Sequence, residues 1–275
     1  LPWPGNADGG GPSLTRANQN SYGNDPANWT AAAASPGNFA AQIAGRAIFY
    51  NNSSYDGNNP AAGASDDAAI ASNKVALLPG GTATVANYTN YSRGINGLMI
   101  DVQNLGAIAL QDFEFRVGNN STPGSWSTAP QPSSLTVRRG AGAGGTDRVT
   151  LVWADGAIKN TWLQVTLKAT ANTGLTANDV FYFGNAVGET GNSPTDAVVN
   201  STDEIATRNN SRSFDNLASI SFVYDFDRDG FVNATDQILA RSNATTLAAS
   251  LKLIQVPAGL VEQAAAADVP ASSAW

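Results

Sequence analysis

The chain has 275 residues, enough for one large domain or two ordinary ones, and only 13% of them are Asp, Glu, Lys or Arg. Its net charge of −7 argues against nucleic acid or an anionic membrane as a partner and suits the binding of hard cations. Because Cys and His are both absent, the composition excludes disulfides, thiolate or imidazole metal sites and a Ser-His-Asp triad.

Residues 1–40 are rich in Gly, Pro, Asn and Ala and show no hydrophobic period, which predicts an extended N-terminal arm. From residue 41 to residue 178, short segments alternate between apolar and polar residues, and Gly, Asn, Pro or Asp turns separate them. The seven segments are "AQIAGRAIFYNNS", "ATVANYTNYS", "GINGLMIDVQNL", "LQDFEFRVGN", "SSLTVRRG", "RVTLVWADG" and "TWLQVTLKAT". This pattern predicts an antiparallel β-sandwich.

The last of these segments has two different faces. Leu163, Val165 and Leu167 share one face, which we expect to line the core. Trp162, Gln164 and Thr166 share the other face, which we expect to be solvated or covered by the next domain.

After about residue 178 the apolar residues recur with a helical period. "TDEIATRNN" and "TDQILARSN" each predict one short helix that begins at a Thr or Asp cap and ends at Asn. We therefore expect a small α domain over residues 179–250. Residues 251–275 are expected to form a strand, "LKLIQV", followed by an Ala- and Pro-rich tail.

The two predicted helices belong to an internal repeat. "DAVVNSTDEIATRNN" (196–210) and "DGFVNATDQILARSN" (229–243) align at an offset of 33 residues, with eight of fifteen positions identical. A match at a fixed offset indicates a duplicated loop–helix unit.

The second copy has the spacing of a calcium-binding loop. "DFDRDGFVNATD" places side-chain oxygens at positions 1, 3, 5, 9 and 12, a glycine at position 6 and a backbone carbonyl at position 7. Calcium takes six to eight oxygen ligands, and this loop supplies that number without nitrogen or sulfur. The predicted ligands are Asp225, Asp227, Asp229, Phe231, Asn233 and Asp236.

The first copy is a degenerate version of the same loop. Counting back twelve residues puts Asn192 at position 1 but leaves Pro194 at a ligand position. The similarity of "FYFGN" to "FVYD" instead favours Asn185 at position 1, with about seven inserted residues and Glu189 as an added carboxylate. The predicted ligands are then Asn185, Glu189, Asp196, Val198, Asn200 and Asp203, so we expect one Ca²⁺ and allow for two.

A pair of such loops, each followed by a helix, resembles a type I dockerin over roughly residues 180–250. The "NSTD" and "NATD" loop ends match that family's loop-to-helix junction. A wider likeness over residues 40–255 is to C-terminal regions of large secreted proteins of environmental bacteria, where a β-sandwich precedes such a pair. The resemblance implies Ca²⁺-dependent folding and docking onto a cohesin partner, with Thr202 and Thr235 near the recognition positions.

These observations lead us to expect a mainly β protein, an antiparallel sandwich followed by a small dockerin-like α domain. We expect a non-catalytic, extracellular, calcium-stabilised structural or adhesive module that assembles with copies of itself by strand addition from a terminal arm. The exported chain is expected to have lost its signal peptide, and no apolar run of about 18 residues predicts a membrane span.

Two alternatives remain open at this stage. The first is a carbohydrate-binding or cohesin-docking module of a larger polysaccharide-active protein, in which Trp29 and Trp126 stack on sugar rings. The second is a glycosidase, which needs two carboxylates across a cleft, with Asp101, Asp112 and Glu114 as candidates. Asp112 and Glu114 share a strand face that we expect to be solvated.

Overall fold

A computed structural model describes residues 3–4, 13–17, 21–32 and 40–258. The chain divides into two compact units between Ala40 and Ala41. The predicted Ala- and Pro-rich tail beyond residue 258 lies outside the described residues.

The first unit contains a pair of antiparallel strands, β1 (Ser13–Arg16) and β2 (Trp29–Ala32). The ring of Trp29 lies 5.9 Å from that of Trp3. The sequence predicted an extended arm here but not the pairing of these two segments as strands. Each strand has only four residues, too few to give a recognisable alternation, and the pairing joins residues far apart in the sequence.

The second unit is mainly β, with two sheets of mostly antiparallel strands. The five-stranded sheet has the order β4–β11–β10–β6–β7, and the four-stranded sheet has the order β3–β5–β9–β8. Among the described pairs, only β4 with β11 is parallel. The strands are β3 (Gln42–Ile48), β4 (Tyr88–Thr89), β5 (Gly97–Gln103), β6 (Phe113–Gly118), β7 (Ser127–Thr128), β8 (Ser134–Arg138), β9 (Asp147–Val152), β10 (Trp162–Leu167) and β11 (Asp179–Asn185).

Each of the seven segments predicted as strands between residues 41 and 178 contains a strand, but in "ATVANYTNYS" it is only Tyr88–Thr89, which follows a 3-10 turn at Val85–Asn87. Both sheets contribute to one hydrophobic core, in which Leu163, Val165 and Leu167 of β10 are fully buried. The opposite face of β10 is buried as well, and Trp162 belongs to a second apolar cluster with Leu251. The sequence pattern allowed this second face of β10 to be either solvated or covered, and in the structure it is covered.

The segment after the second helix covers part of this outer face. Leu251, Ile254 and Val256 are buried, and the Ala83 amide donates to the Ile254 carbonyl over 2.8 Å. The indole N–H of Trp162 donates to a carbonyl of the same segment. The apolar side of "LKLIQV" is thus used within the chain rather than offered to a neighbouring molecule.

The predicted domain boundary between residues 178 and 179 is wrong. β11 begins at Asp179 and pairs with β10 along its whole length, so the sheet continues across the expected boundary. The composition changes there because β11 leads directly into the repeats. The described residues from 41 to 258 belong to one compact unit.

The two predicted helices are confirmed as α1 (Ser201–Asn209) and α2 (Ala234–Ser242). Their N-caps are Asn200 and Asn233, not the Thr or Asp expected from the sequence. Each asparagine side chain accepts a backbone N–H two residues ahead, which stabilises the helix start. Within the described residues, no helix has the length and apolarity to cross a membrane.

Candidate metal centre

The second loop brings three acidic side chains together. Asp225, Asp227 and Asp229 each place a carboxylate oxygen within 4.8 Å of the others, and they are the only such group of three in the part of the chain that the structure describes. These are the side chains predicted at positions 1, 3 and 5. Asp225 is fully buried, Asp227 is half-buried and Asp229 is exposed.

The loop turns sharply at its predicted glycine. Gly230 has φ +89°, a left-handed conformation that side chains with a Cβ rarely adopt. Its amide donates to Oδ2 of Asp225 over 3.0 Å, and the Asp229 amide donates to Oδ1 over 3.2 Å. The turn therefore folds the backbone around the first carboxylate.

The carboxylates of the loop are close to one another, and two of them are buried. Burial raises the pKa of Asp225 to about 7 and that of Asp236 to about 6. Burial, followed by the charge of Asp229, raises the pKa of Asp227. The Oδ1 atom of Asp227 is buried and accepts no hydrogen bond. This arrangement favours either the binding of a cation or protonation of the carboxylates.

The three remaining predicted ligands, Asp236, Asn233 and Phe231, differ in burial and in their hydrogen bonds. Asp236 is fully buried, and its oxygens accept the amides of Phe226 over 2.7 Å and of Asn233 over 2.9 Å. Asn233 is also the N-cap of α2. The Phe231 amide donates to Asp229 Oδ1 over 2.7 Å, so position 7 is tied to position 5.

The first loop repeats one hydrogen bond of the second. The Thr190 amide donates to Oδ1 of Asp203 over 3.1 Å, as the Phe226 amide does to Oδ1 of Asp236. Asp203 and Asp236 are equivalent in the sequence repeat. Thr190 therefore occupies position 2 of the first loop.

Glu189 then occupies position 1, equivalent to Asp225, and the first loop is three residues longer than the second. A tyrosine hydroxyl bonds each of the two carboxylates, Tyr88 to Glu189 and Tyr55 to Asp225. The alignment that put Asn185 at position 1 is therefore wrong. The inserted residues hid the register in the sequence.

Asn185 has a structural role at the end of β11. Its Oδ1 accepts the Asn160 amide over 2.9 Å, and its Nδ2 donates to the Thr89 hydroxyl and the Tyr91 carbonyl. The side chain is fully buried, and these bonds use both ends of its amide.

Donors from the first loop itself surround Asp203. Its Oδ1 accepts the Thr190 hydroxyl over 2.7 Å and the Asn192 amide nitrogen over 3.0 Å, besides the Thr190 backbone. Its Oδ2 accepts the Asn200 amide over 2.9 Å. These neutral donors satisfy a carboxylate that a metal would otherwise neutralise.

The other first-loop residues do not converge with Glu189 into a three-carboxylate group among the described residues. Asp196 accepts the Ser193 hydroxyl and the Val198 amide, and Asn200 contacts the Val198 carbonyl over 3.4 Å. Glu189 is buried with its Oε1 unpaired, and burial raises its pKa.

Residues outside both loops complete the second site, and the sequence did not single them out. Tyr55 and Ser54 reach the loop from a turn that follows β3, and Asn90 reaches it from beyond β4. Asn90 accepts a hydrogen bond from the fully buried Arg228 over 2.6 Å. No local pattern marks these residues, because each is more than a hundred positions away from its partner.

Thr202 and Thr235 are exposed in the first turns of α1 and α2. Ile205 and Ile238, one helical turn further on, are 46% and 59% exposed. The two helices have the same sequence of buried and exposed positions, so the duplication extends to their surfaces.

The predicted sugar-stacking residues have other contacts. Trp126 is 6% exposed, packs edge-on against Tyr182 and donates its indole N–H to Asn120. Its predicted role in stacking on sugars is therefore wrong, because its ring faces are covered. Trp29 is half-buried and lies under the Arg16 guanidinium at 5.5 Å.

Other protein groups donate hydrogen bonds to each of the three carboxylates considered for glycosidase chemistry. Arg148 binds Asp101 through two hydrogen bonds of 2.8 Å. Asp112 is buried and accepts the Thr170 hydroxyl, contrary to the solvated position expected for it. Glu114 accepts a hydrogen bond from a neighbouring arginine on the same strand.

No protein-family model, curated protein or solved structure matches this chain.

Proposed function

We propose that this protein is a non-catalytic, extracellular structural or adhesive module whose fold is stabilised by one Ca²⁺ in the second loop. In this proposal the two sheets form a β-sandwich, and residues 189–243 form a dockerin-like repeat pair packed onto it. The observation that carries the proposal is the group of Asp225, Asp227 and Asp229, which have carboxylate oxygens within 4.8 Å of one another and include a buried Asp227 oxygen that accepts no hydrogen bond.

The donor set fits calcium better than other metals. It contains carboxylate and backbone oxygens, and hard oxygen ligands are those that Ca²⁺ selects. The sequence contains neither His nor Cys, which zinc and other softer transition metals prefer. The Ca²⁺ would supply a fixed double positive charge among the carboxylates, and Asp225, Asp227, Asp229 and Asp236 would hold it together with the Phe231 carbonyl.

The first loop contributes structure rather than a second ion in this proposal. The hydroxyl of Thr190 and the amide of Asn192 already donate to Asp203. The matching oxygens of the second loop receive only backbone amides. This difference favours a single calcium ion per chain.

Calorimetric titration of the chelator-treated protein tests the proposal directly. We expect one Ca²⁺ per chain, with much weaker binding of Mg²⁺, because Ca²⁺ accepts irregular sets of six to eight oxygens whereas Mg²⁺ demands a near-octahedral site. Calcium should also raise the melting temperature. A melting temperature equal in calcium and in chelator, together with no heat of binding, would contradict the proposal.

The exposed faces of α1 and α2 favour a second candidate, a docking module for a protein partner such as a cohesin. Ile205 and Ile238 are exposed at equivalent positions beside Thr202 and Thr235. Apolar side chains retained on two equivalent exposed faces suit a partner surface. Binding of a cohesin domain by the wild type, lost in an Ile205→Asp/Ile238→Asp variant that still melts like the wild type, would support docking.

Self-assembly by strand addition is tested separately. In the described residues β1 and β2 pair with each other, and 251–256 packs within its own unit. Electron microscopy of purified protein with and without calcium distinguishes filaments from single particles, and single particles in both conditions would exclude this part of the proposal.

A further inference from the structure

The backbone of the second loop is hydrogen-bonded on both sides of Asp227 to turns of the sheet unit, by which we mean β3 to β11 and the turns that join them (residues 42–185). The amide and hydroxyl of Ser54 both donate to the Arg228 carbonyl, over 3.0 and 2.9 Å. The Ser92 amide donates to the Phe226 carbonyl over 2.7 Å. The residues that flank this carboxylate are therefore fixed by groups that precede β5 in the chain.

The side chain of Arg228, which lies between Asp227 and Asp229 in the sequence, packs inside the sheet unit. Arg228 is fully buried, stacks on Tyr50 at 4.3 Å and donates to Asn90 over 2.6 Å. Its backbone has φ +57°, a conformation that is uncommon for a large side chain and persists only where surrounding contacts hold it. The loop conformation thus depends on the sheet unit.

Tyr55 contacts the first carboxylate of the loop. Its hydroxyl lies 3.2 Å from Oδ2 of Asp225 and 3.0 Å from the Ala218 carbonyl, so its single hydrogen is shared. A carboxylate is the stronger acceptor of the two. The same relation recurs in the first loop, where Tyr88 donates to Glu189.

We propose that Tyr55 is a positioning residue for calcium, so that the metal affinity of the second loop is set partly by the sheet unit. The inference rests on the proposed calcium site. The hydroxyl orients the buried Asp225 carboxylate from outside the loop, as partners of metal-ligating side chains do in other sites. Ser54 supports the same arrangement by fixing the Arg228 carbonyl.

The test measures the dissociation constant for Ca²⁺ in Tyr55→Phe by calorimetric titration of folded, chelator-treated protein. Loss of a hydrogen-bonding partner behind a metal ligand weakens metal binding by about 10- to 100-fold, so a loss of at least about tenfold is expected. A merely structural role would lower stability but leave the affinity of the folded protein unchanged. Ser54→Ala, which removes one of two hydrogen bonds to a carbonyl, is expected to weaken binding in the same direction but less.

Tyr182→Phe is the matched control. Tyr182 is buried in the sheet unit whereas Tyr55 is half-buried, and the Tyr182 hydroxyl accepts a hydrogen bond from Gln164, away from both loops. Its calcium affinity should equal that of the wild type. Equal affinities of the wild type and Tyr55→Phe, or equal losses in Tyr55→Phe and Tyr182→Phe, would overturn the positioning role alone. Absence of binding by the wild type would overturn the calcium site itself, and this inference with it.

Discussion

Replacing Asp227 with asparagine should have opposite effects on stability with and without calcium. The substitution keeps the shape of the side chain but removes one of three neighbouring negative charges. At 4.8 Å and an effective dielectric constant of about 20, two unit charges repel by about 3 kcal/mol. Partial exposure of Asp227 reduces this repulsion to about 1 to 2 kcal/mol.

In chelator, above the pKa of about 7 of Asp225, the Asp227→Asn variant should therefore be more stable than the wild type by about 1 to 2 kcal/mol. In calcium at about 100 times the dissociation constant, the wild type gains about 2.7 kcal/mol by mass action. The variant, which has lost a ligand, should lose most of that gain. The order of stability of the two proteins then reverses.

Urea unfolding followed by tryptophan fluorescence measures both free energies of unfolding. Asp215→Asn is the control, since Asp215 is an exposed carboxylate between the two repeats, and it should change neither value. If Asp227→Asn were destabilised equally in calcium and in chelator, Asp227 would be a structural acceptor rather than a metal ligand. That result would refute the reasoning from crowded charge.

Three further outcomes are expected. In chelator, the free energy of unfolding should fall as pH rises from about 4 to 7. Burial raises the folded-state pKa of Asp225 to about 7 and that of Asp236 to about 6, so the folded state binds more protons than the unfolded state in this range. The stability that these protons contribute is present at low pH and is lost as pH rises through the two folded-state pKa values. A flat or rising profile in urea titrations would contradict it. Calcium affinity should rise over the same interval, since the ligands must lose their protons, and pH-independent binding would argue against these ligands. Trp126→Ala should lower the free energy of unfolding by about 3 kcal/mol, because the ring is buried against Tyr182, and it should leave the calcium affinity unchanged. A loss below about 1 kcal/mol in urea unfolding would show that the packing of this ring contributes little to stability.

Local sequence signals were sufficient for most strands of the second unit and for both helices. Leu163, Val165 and Leu167 alternate with Trp162 and Gln164, and the observed β10 buries the first set in the main core. An alternation of this kind depends only on the period of an extended chain, so it can be read without knowing the partner strands. The short pairing of β1 with β2 was missed for the opposite reason: its partners, not its pattern, define it.

The sequence by itself determined the identity and order of the candidate ligand oxygens in the second loop, because spacing within twelve residues is a local property of the chain. Gly230 has the left-handed φ that its position required. The first loop was different, since a three-residue insertion concealed that Glu189, rather than Asn185, stands at position 1.

Only the tertiary structure decided how the second loop is held and charged. Tyr55 reaches Asp225 across 170 residues of sequence, and Asn90 meets Arg228 across 138. Burial raises the pKa of Asp225, and the buried Arg228 beside it has a positive φ. Desolvation and hydrogen bonding depend on what surrounds a side chain in space, which the order of residues along one loop does not specify.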